Sequence, residues 1–430
     1  MNMTGSVSTA WRHFTVQVRG NGATFGLFLA ASWGSALLNA TYLFIMARFL
    51  GVADYGVLLA LLSVFVLASL PAAGMDLLTA RIFAVLPRNS GLQQSLIRVC
   101  GVSGLWGLAA WGIVLALSPV MAPVLSISER GLMLLVAAMV TCSYAQAIGW
   151  GILRGKQRFF LLSFNMVLYP LLRIALGLAL VWAGLSVLGA LLGTLAGTAI
   201  TAGLALVAGI GRETHLQRPL NSRDSGSEKW VGPKFLGYNF YGVMALIVIG
   251  VQALPGTIDV LVVKAMVEPH LAGLYAMAAT GGKAGLLLTG AISLFAFPKI
   301  VARIDRGLPY ADLVWYSLAL VGALSGLAAL VVGIASPLFV PILFGPDFLP
   351  GTSLLRWYAI AVIPFSLLIV LARSYLAADN YGPIKALLVF GVVLAVVLVV
   401  VGKEPLWVIL AFGAVSLGYL MWAAIAGVKR

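Results

Sequence analysis

Apolar runs of 18 or more residues recur from about Thr24 to the C-terminal end of this chain, and nothing else limits its fold so tightly. Inside hydrocarbon no water is available to the backbone, so each segment must close its own hydrogen bonds, as a helix does. About 20 apolar residues suffice to span the bilayer core. Hydrophobic residues make up 62% of the chain and charged residues 9%, whereas soluble chains carry about a quarter charged residues. The short alternating segments of a β-barrel do not occur. The fold class is therefore an all-α polytopic membrane protein. The first run is too long for a signal-peptide core and lacks a clear cleavage site, so it reads as a membrane helix that acts as its own insertion signal.

Twelve spans are expected, near residues 24–48, 56–85, 99–118, 131–152, 160–184, 186–209, 238–263, 270–298, 313–336, 353–376, 383–402 and 405–427. Proline- and glycine-rich stretches such as "SPVMAPVLS" and "ASPLFVPILFGPDFLPG" are expected to form turns between them. The formal charge of +14 follows from topology. Loops on the face that carries both termini hold twenty of the 27 lysines and arginines, the opposite loops hold five, and Arg173 and Lys283 fall inside spans. That bias places both termini in the cytoplasm, and no nucleic-acid partner is needed to explain the basic balance. Cys100 and Cys142 lie in or beside apolar runs and form no disulfide or metal framework. His13, His215 and His270 show no metal-ligand spacing, and no serine–histidine–acid set comes together, so no enzyme activity is expected.

The chain also repeats itself. About 216 residues after "ARFLGVADYGVLLALLSV", which carries Arg48 and Gly56, it reads "VKAMVEPHLAGLYAMAATG". Lys264 then falls on Arg48, and Gly273 falls one residue off Gly56. Each copy runs from an apolar stretch through a cation, an acid and a glycine into a second apolar stretch. "LRGKQRFFLLSFNMVL" and "LAADNYGPIKALLVFG" occupy matching places after the fourth and tenth spans. Between the halves lies "RETHLQRPLNSRDSGSEKWVGPK", which reads as a mobile cytoplasmic linker. The organisation expected is an N-terminal arm (1–23), an N-lobe of six helices (24–210), a linker (211–234) and a C-lobe of six helices (235–430). Transporters built from such repeats bind their cargo between the halves, near the bilayer midplane.

The stretches "RFLGVADYGVLLALL…AGMDLLTARIFA" and "DVLVVKAMVEPHLAGLYAMAATGG…FAFPKIVARI", together with "ILRGKQRF" before the fifth span, resemble the Wzx-type polysaccharide-biosynthesis flippases. These belong to the multidrug/oligosaccharidyl-lipid/polysaccharide exporter superfamily. The resemblance touches both halves. It implies two six-helix lobes around a central cavity that opens alternately to either side. It also implies that the cargo is an undecaprenyl-diphosphate-linked oligosaccharide, moved from the inner to the outer leaflet of a bacterial cytoplasmic membrane. A polysaccharide polymerase and glycosyltransferases of the same pathway are the partners implied. The twelve spans depart from the peptidoglycan-precursor flippases, which have two more.

A diphosphate carries about two negative charges, which are costly to bring into hydrocarbon without partners. Fixed cations lower that cost, and a cation at a helix centre itself costs on the order of 2.5–3.5 kcal/mol, so it should face a partner or water. Lys283, in "ATGGKAGLLL", is the foremost candidate, lying about 20 Å into the eighth span at 1.5 Å per residue. Gly281, Gly282 and Gly285 would let a helix or cargo approach it. Arg173 lies mid-span behind Pro170, where a structural role is as natural as a cargo role. Gln252, Pro255 and Asp259 share one face of the seventh span. Asp259 is expected either to take a proton or sodium ion from an ion gradient or to neutralise Lys264. Asp76 and Arg81 lie near the cytoplasmic end of the second span, and Asn39, Arg48, Lys264 and Arg373 complete the candidates. Arg48, Lys264 and Arg373 also suit headgroup anchoring. No bound cofactor is expected.

Two other functions compete. A multidrug exporter of the same superfamily would move small organic cations, which favour acidic or aromatic walls. A membrane-embedded polymerase or glycosyltransferase would present a large outer loop or a loop carboxylate motif, whereas the longest outer loops here run only about 17 residues. Nothing in the sequence requires more than a monomer.

Overall fold

A computed structural model describes residues 22–85, 92–127, 131–210, 247–250, 253, 257–283, 286, 292, 296, 299–301, 303–304, 306–378 and 380–428. Residues 1–21 of the N-terminal arm, the linker expected at 211–234, Gln252, Pro255 and the side chain of Arg81 lie outside the described residues. Among the described residues there is no strand. The helices are α1 (Gly22–Val85), α2 (Leu92–Val124), α3 (Gly131–Gly155), α4 (Phe159–Leu180), α5 (Ser186–Ile210), α6 (Ile258–Met266), α7 (Pro269–Lys283), α8 (Ala311–Leu343), α9 (Thr352–Ala377), α10 (Tyr381–Val401) and α11 (Pro405–Val428).

Among the described residues, eight segments are long and apolar enough to cross a membrane, and two of them run to 55 and 51 residues. At 1.5 Å per residue each of these two would reach roughly 80 Å, well over twice a ~30 Å hydrocarbon core, so each makes two crossings. The first reverses within α1 at Gly51, where φ is 75° and ψ 175°, a conformation open to glycine because it has no Cβ. The second reverses at Val181–Leu185, between α4 and α5, where Gly184 has φ 91°. Helices α6 and α7 belong to the seventh and eighth expected spans, which completes the twelve.

Both expected turns fall inside their quoted stretches, but the helices before them run past the expected ends at 118 and 336. Helix α2 continues through Pro119 and Pro123 to Val124. Helix α8 continues through Pro337 and Pro341 to Leu343, beyond the expected end at 336. The actual break follows Gly345, where φ is 113° and a short 3-10 turn (Pro346–Gly351) leads into α9. Neighbouring groups re-satisfy a proline-freed carbonyl in membrane helices, so proline alone does not end them.

Each lobe has its own core. In the N-lobe, Tyr42, Met46, Leu61, Val136, Val140 and Tyr144 interlock. Helix α5 presents Gly189, Gly193 and Gly197 at four-residue intervals to α4. A Cβ on Gly193 would fall 2.3 Å from the Gly177 nitrogen. This is small-residue packing of the kind that brings membrane helices close. Polar groups bind α3, α4 and α5 together: Gln146 Nε2 donates to Thr201 Oγ1 at 2.7 Å, Trp150 Nε1 to Asn165 Oδ1 at 2.6 Å, and Asn165 Nδ2 to the Thr201 carbonyl at 3.0 Å. The "RGKQRF" turn caps α5, with Lys156 donating to the Gly209 carbonyl at 2.8 Å and Arg158 to the Ala208 carbonyl. Cations at a helix C-terminus meet its orphan carbonyls and the negative end of its dipole. The C-lobe core gathers Val260, Tyr275, Tyr358, Phe365, Leu394 and Phe412.

The lobes meet at the end of the bundle that carries the Gly51 reversal. A Cβ on Gly56 would lie 3.0 Å from Gly273 Cα, and one on Gly273 only 1.9 Å from the Val52 carbonyl oxygen. Around this crossing Tyr55 donates to Thr280 Oγ1 at 3.0 Å. Phe44 and Tyr55 of the N-lobe pack edge-on against Phe344 and Phe348, with centroids 5.0 to 6.4 Å apart. The two glycines that the repeat aligned to within one residue therefore touch each other. Residues at a pseudo-twofold axis meet their own equivalents in this way.

Candidate functional site

Asp259 occupies the first turn of α6, where the positive end of the helix dipole favours an anion. Its side chain is fully buried, and an isolated buried carboxylate is very costly. Three donors meet it. Tyr358 of α9 donates to Oδ2 at 2.5 Å, and Tyr275 of α7 donates to the same oxygen at 3.1 Å. Lys283 Nζ lies 3.2 Å from Oδ2 and 3.4 Å from Oδ1.

Small residues bring these side chains together. A Cβ on Gly282 would fall 2.5 Å from Tyr358 Cδ1, and one on Gly281 would fall 2.8 Å from Leu355 Cδ1. Those glycines let α9 close on α7, so the helix, as well as the lysine, defines this place. The ammonium also lies 5.1 Å from the centroid of the Tyr358 ring, and the two tyrosine rings stand edge to face at 6.0 Å. Lys283 lies fourteen residues after Pro269 in α7, about 21 Å along the axis. The exposure is unequal: Lys283 keeps 17% of its side-chain surface open while Asp259 keeps none. What reaches this cluster from the open side meets a cation.

Asp259 thus pairs with Lys283, not with Lys264. Lys264 is buried at the far end of α6, where burial pulls its pKa down and the carboxylate of Asp54 in the N-lobe opposes that pull. Asp54 also accepts a 2.6 Å hydrogen bond from Ser186. Arg48 bridges the lobes in the other direction, donating to the Ile342 carbonyl near the C-terminus of α8 at 2.9 Å. Of the two repeat-related cations, Arg48 thus makes a bond across the junction between the lobes.

Arg173 belongs to a second buried polar group, inside the N-lobe. Its Nε donates to Thr194 at 3.1 Å, one terminal nitrogen donates to Asn39 Oδ1 at 3.0 Å, and its guanidinium lies 3.8 Å from the centre of the Tyr42 ring. Tyr42 in turn donates to the Ala190 carbonyl at 2.9 Å. The groups that meet the guanidinium are neutral, and they join α1, α4 and α5. Asp76 binds Arg154 at 2.5 Å, tying the second span to α3. Arg373 is half-buried in α9, fifteen residues beyond Tyr358, about 22 Å along the helix.

The structure therefore assembles Lys283 with Asp259, and Arg173 with Asn39, as separate clusters in separate lobes. Sequence reasoning missed Tyr275, Tyr358, Tyr42 and Thr194. The available signal was tyrosine in mid-span, since a buried phenol needs a hydrogen-bond partner. Among the described residues no group of three or more histidine, cysteine or acidic side chains stands ready to hold a metal.

Residues 23–302 match the family model described as polysaccharide biosynthesis protein. No curated protein matches the chain by sequence. Among solved structures, the chain resembles the inward-facing conformation of a multidrug resistance MATE family transporter of the MOP superfamily. The identity is 14%, the alignment covers 93% of this chain and 97% of that one, and the TM-score is 0.70. It also resembles the lipid II flippase MurJ in an inward closed conformation, at 16% identity over 94% and 87% of the two chains, with a TM-score of 0.71. An outward-facing MATE structure matches at 16% identity over 94% and 95%, with a TM-score of 0.56. These likenesses establish the fold: two six-helix lobes of a multi-pass membrane protein.

Proposed function

Because the chain belongs to the polysaccharide biosynthesis protein family, we propose that it is a flippase for an undecaprenyl-diphosphate-linked oligosaccharide. It would carry that cargo from the inner to the outer leaflet of a bacterial cytoplasmic membrane by alternating access. The observation that carries this reading is the unequal exposure of the Lys283–Asp259 pair. The pair offers an ammonium, deep in an apolar chain, on its accessible side. A diphosphate headgroup is the part of such a cargo that most needs a fixed cation, and charge-assisted bonds to phosphate are among the strongest available.

The same feature weighs against export of organic cations, which would be repelled by the exposed member of the pair. The family and the transporter fold favour a transporter without enzymatic activity over a polymerase or glycosyltransferase. The positive-inside bias supports cytoplasmic termini, which would put the Gly56–Gly273 junction at the outer face. Polymerase and glycosyltransferases of the same pathway would supply and consume the cargo, and the chain would work as a monomer.

The test is to delete the gene and measure lipid-diphosphate oligosaccharide on each leaflet, with rescue by wild type or Lys283→Ala. Inner-leaflet accumulation relieved by wild type, and poorly by the variant, is expected. Absence of accumulation would favour drug export, and outer-leaflet accumulation a polymerase. Coupling to a proton or sodium gradient is tested by Asp259→Asn; transport that depends on the gradient as strongly as in wild type would exclude Asp259 from coupling.

A further inference from the structure

The Lys283–Asp259 pair is neutral as a unit, so an arriving phosphate does not meet a free ammonium. It must compete with a carboxylate 3.2 Å away. In a low-dielectric site, removing one partner of such a pair strands the other charge. Two features separate Asp259 from that fate. The hydroxyls of Tyr275 and Tyr358 both donate to Oδ2, and the carboxylate sits in the first turn of α6. None of these supports depends on Lys283. In contrast, Oδ1 receives its hydrogen bond from Lys283, at 3.4 Å.

We propose that Tyr275 and Tyr358 are positioning residues that allow Lys283 to be handed from Asp259 to a phosphate of the cargo. This rests on the reading of Lys283 as the diphosphate contact. In the resting arrangement Asp259 accepts from three donors, and when the ammonium swings to the phosphate it keeps two. The two hydroxyls matter more in the second state, because there they carry the carboxylate without help from the lysine. Charge is exchanged for charge, one anion replacing another at the ammonium, and no proton needs to move. Among the described residues, the titratable groups that face Asp259 are Tyr275 and Lys283 from α7 and Tyr358 from α9, while Lys264, five residues on along its own helix, is not among its donors.

The experiment measures binding of farnesyl diphosphate, a short isoprenoid diphosphate, to the purified protein in nanodiscs. Lys283→Ala should weaken binding by tenfold or more. The pair Tyr275→Phe/Tyr358→Phe keeps both rings and should also weaken binding about tenfold, the scale of losing a bond to a charged group. Adding Asp259→Asn to that pair should restore binding to within about twofold of Asp259→Asn alone, because a neutral amide no longer holds the lysine back. A tyrosine with only a packing role would give no such rescue. Wild-type affinity in the double phenylalanine variant, or failure of Asp259→Asn to restore it, overturns the exchange while leaving Lys283 as the diphosphate contact. Wild-type affinity in Lys283→Ala overturns that reading of the site, and the exchange with it. If the double variant does not fold, Tyr275→Phe alone, which removes the longer bond, runs through the same cycle.

Discussion

Gly273→Ala should drive the two lobes apart at their junction. The new Cβ would fall 1.9 Å from the Val52 carbonyl oxygen and 2.6 Å from the Val52 carbonyl carbon, where real Cβ atoms essentially never come within 3.0 Å. The shortfall is therefore ~1.1 Å, and it lies against backbone, which cannot rotate away as a side-chain tip can. Overpacking of this kind costs typically 1–3 kcal/mol, and the backbone neighbour places Gly273 at the upper end. A cost of ~3 kcal/mol shifts an equilibrium on the order of a hundredfold. The penalty applies while α1 and α7 touch and vanishes once they separate, so it weighs on one arrangement of the lobes and not on their internal folds. Spin labels at Val124 and Lys403, exposed positions at this end of the N- and C-lobes, would report the change in a background lacking Cys100 and Cys142. A longer-distance population should grow at the expense of the wild-type distance. Gly203→Ala, where the added methyl has nothing within 4 Å, should leave the distances unchanged. An unaltered distance distribution in Gly273→Ala, with wild-type thermal stability, would refute the reasoning.

Three further outcomes follow from the buried polar groups and the glycine packing. Lys283→Met should lower stability by about 1–3 kcal/mol, the scale of losing one bond to a charged group and less than a wholly stranded charge would cost, because Tyr275 and Tyr358 still donate to Asp259, and Lys283→Met/Asp259→Asn should recover part of that loss in thermal unfolding. Thr194→Val leaves the Arg173 Nε without its 3.1 Å acceptor and should cost about 1–3 kcal/mol. Adding Arg173→Met should make the loss smaller, not larger, since it removes the stranded charge. Gly193→Ala pushes α5 off α4 and should cost about 1–3 kcal/mol by the same measure. Gly177→Ala should be milder, its new Cβ meeting the edge of the Tyr42 ring at 3.2 Å.

The crossings were legible because hydropathy is a local property summed over about twenty residues, and the bilayer enforces it. The repeat was legible because its marks, Arg48 with Gly56 and Lys264 with Gly273, lie in the helix ends that flank a sharp break, where few residue types are suitable. Helix ends at the proline-rich stretches were misplaced, since a proline in lipid is rescued by neighbours the sequence does not name. The pairing of Asp259 was harder still. Lys264 is five residues away in sequence and Lys283 twenty-four, yet the distant lysine is the partner. That choice is made by α7 folding back along α6 and by Gly282 admitting Tyr358, neither of which has a local signature. Arg173 was recognised as buried, but its partners come from α1 and α5, and only the glycine ladder of α5 hinted how close those helices stand.

The meeting of Gly56 with Gly273 bears on how such a chain can change over time. A six-helix unit that paired with a copy of itself would have met its own glycine at the symmetry axis, so any methyl added there would intrude twice at once. Joining the two units into one chain separates the positions. A substitution now falls on one side of the junction, and the cost differs, because a Cβ at Gly56 stops 3.0 Å from Gly273 whereas one at Gly273 runs into the Val52 carbonyl. Fusion thus makes the two halves unequal mutational targets, and Gly56 is the side on which this junction can drift.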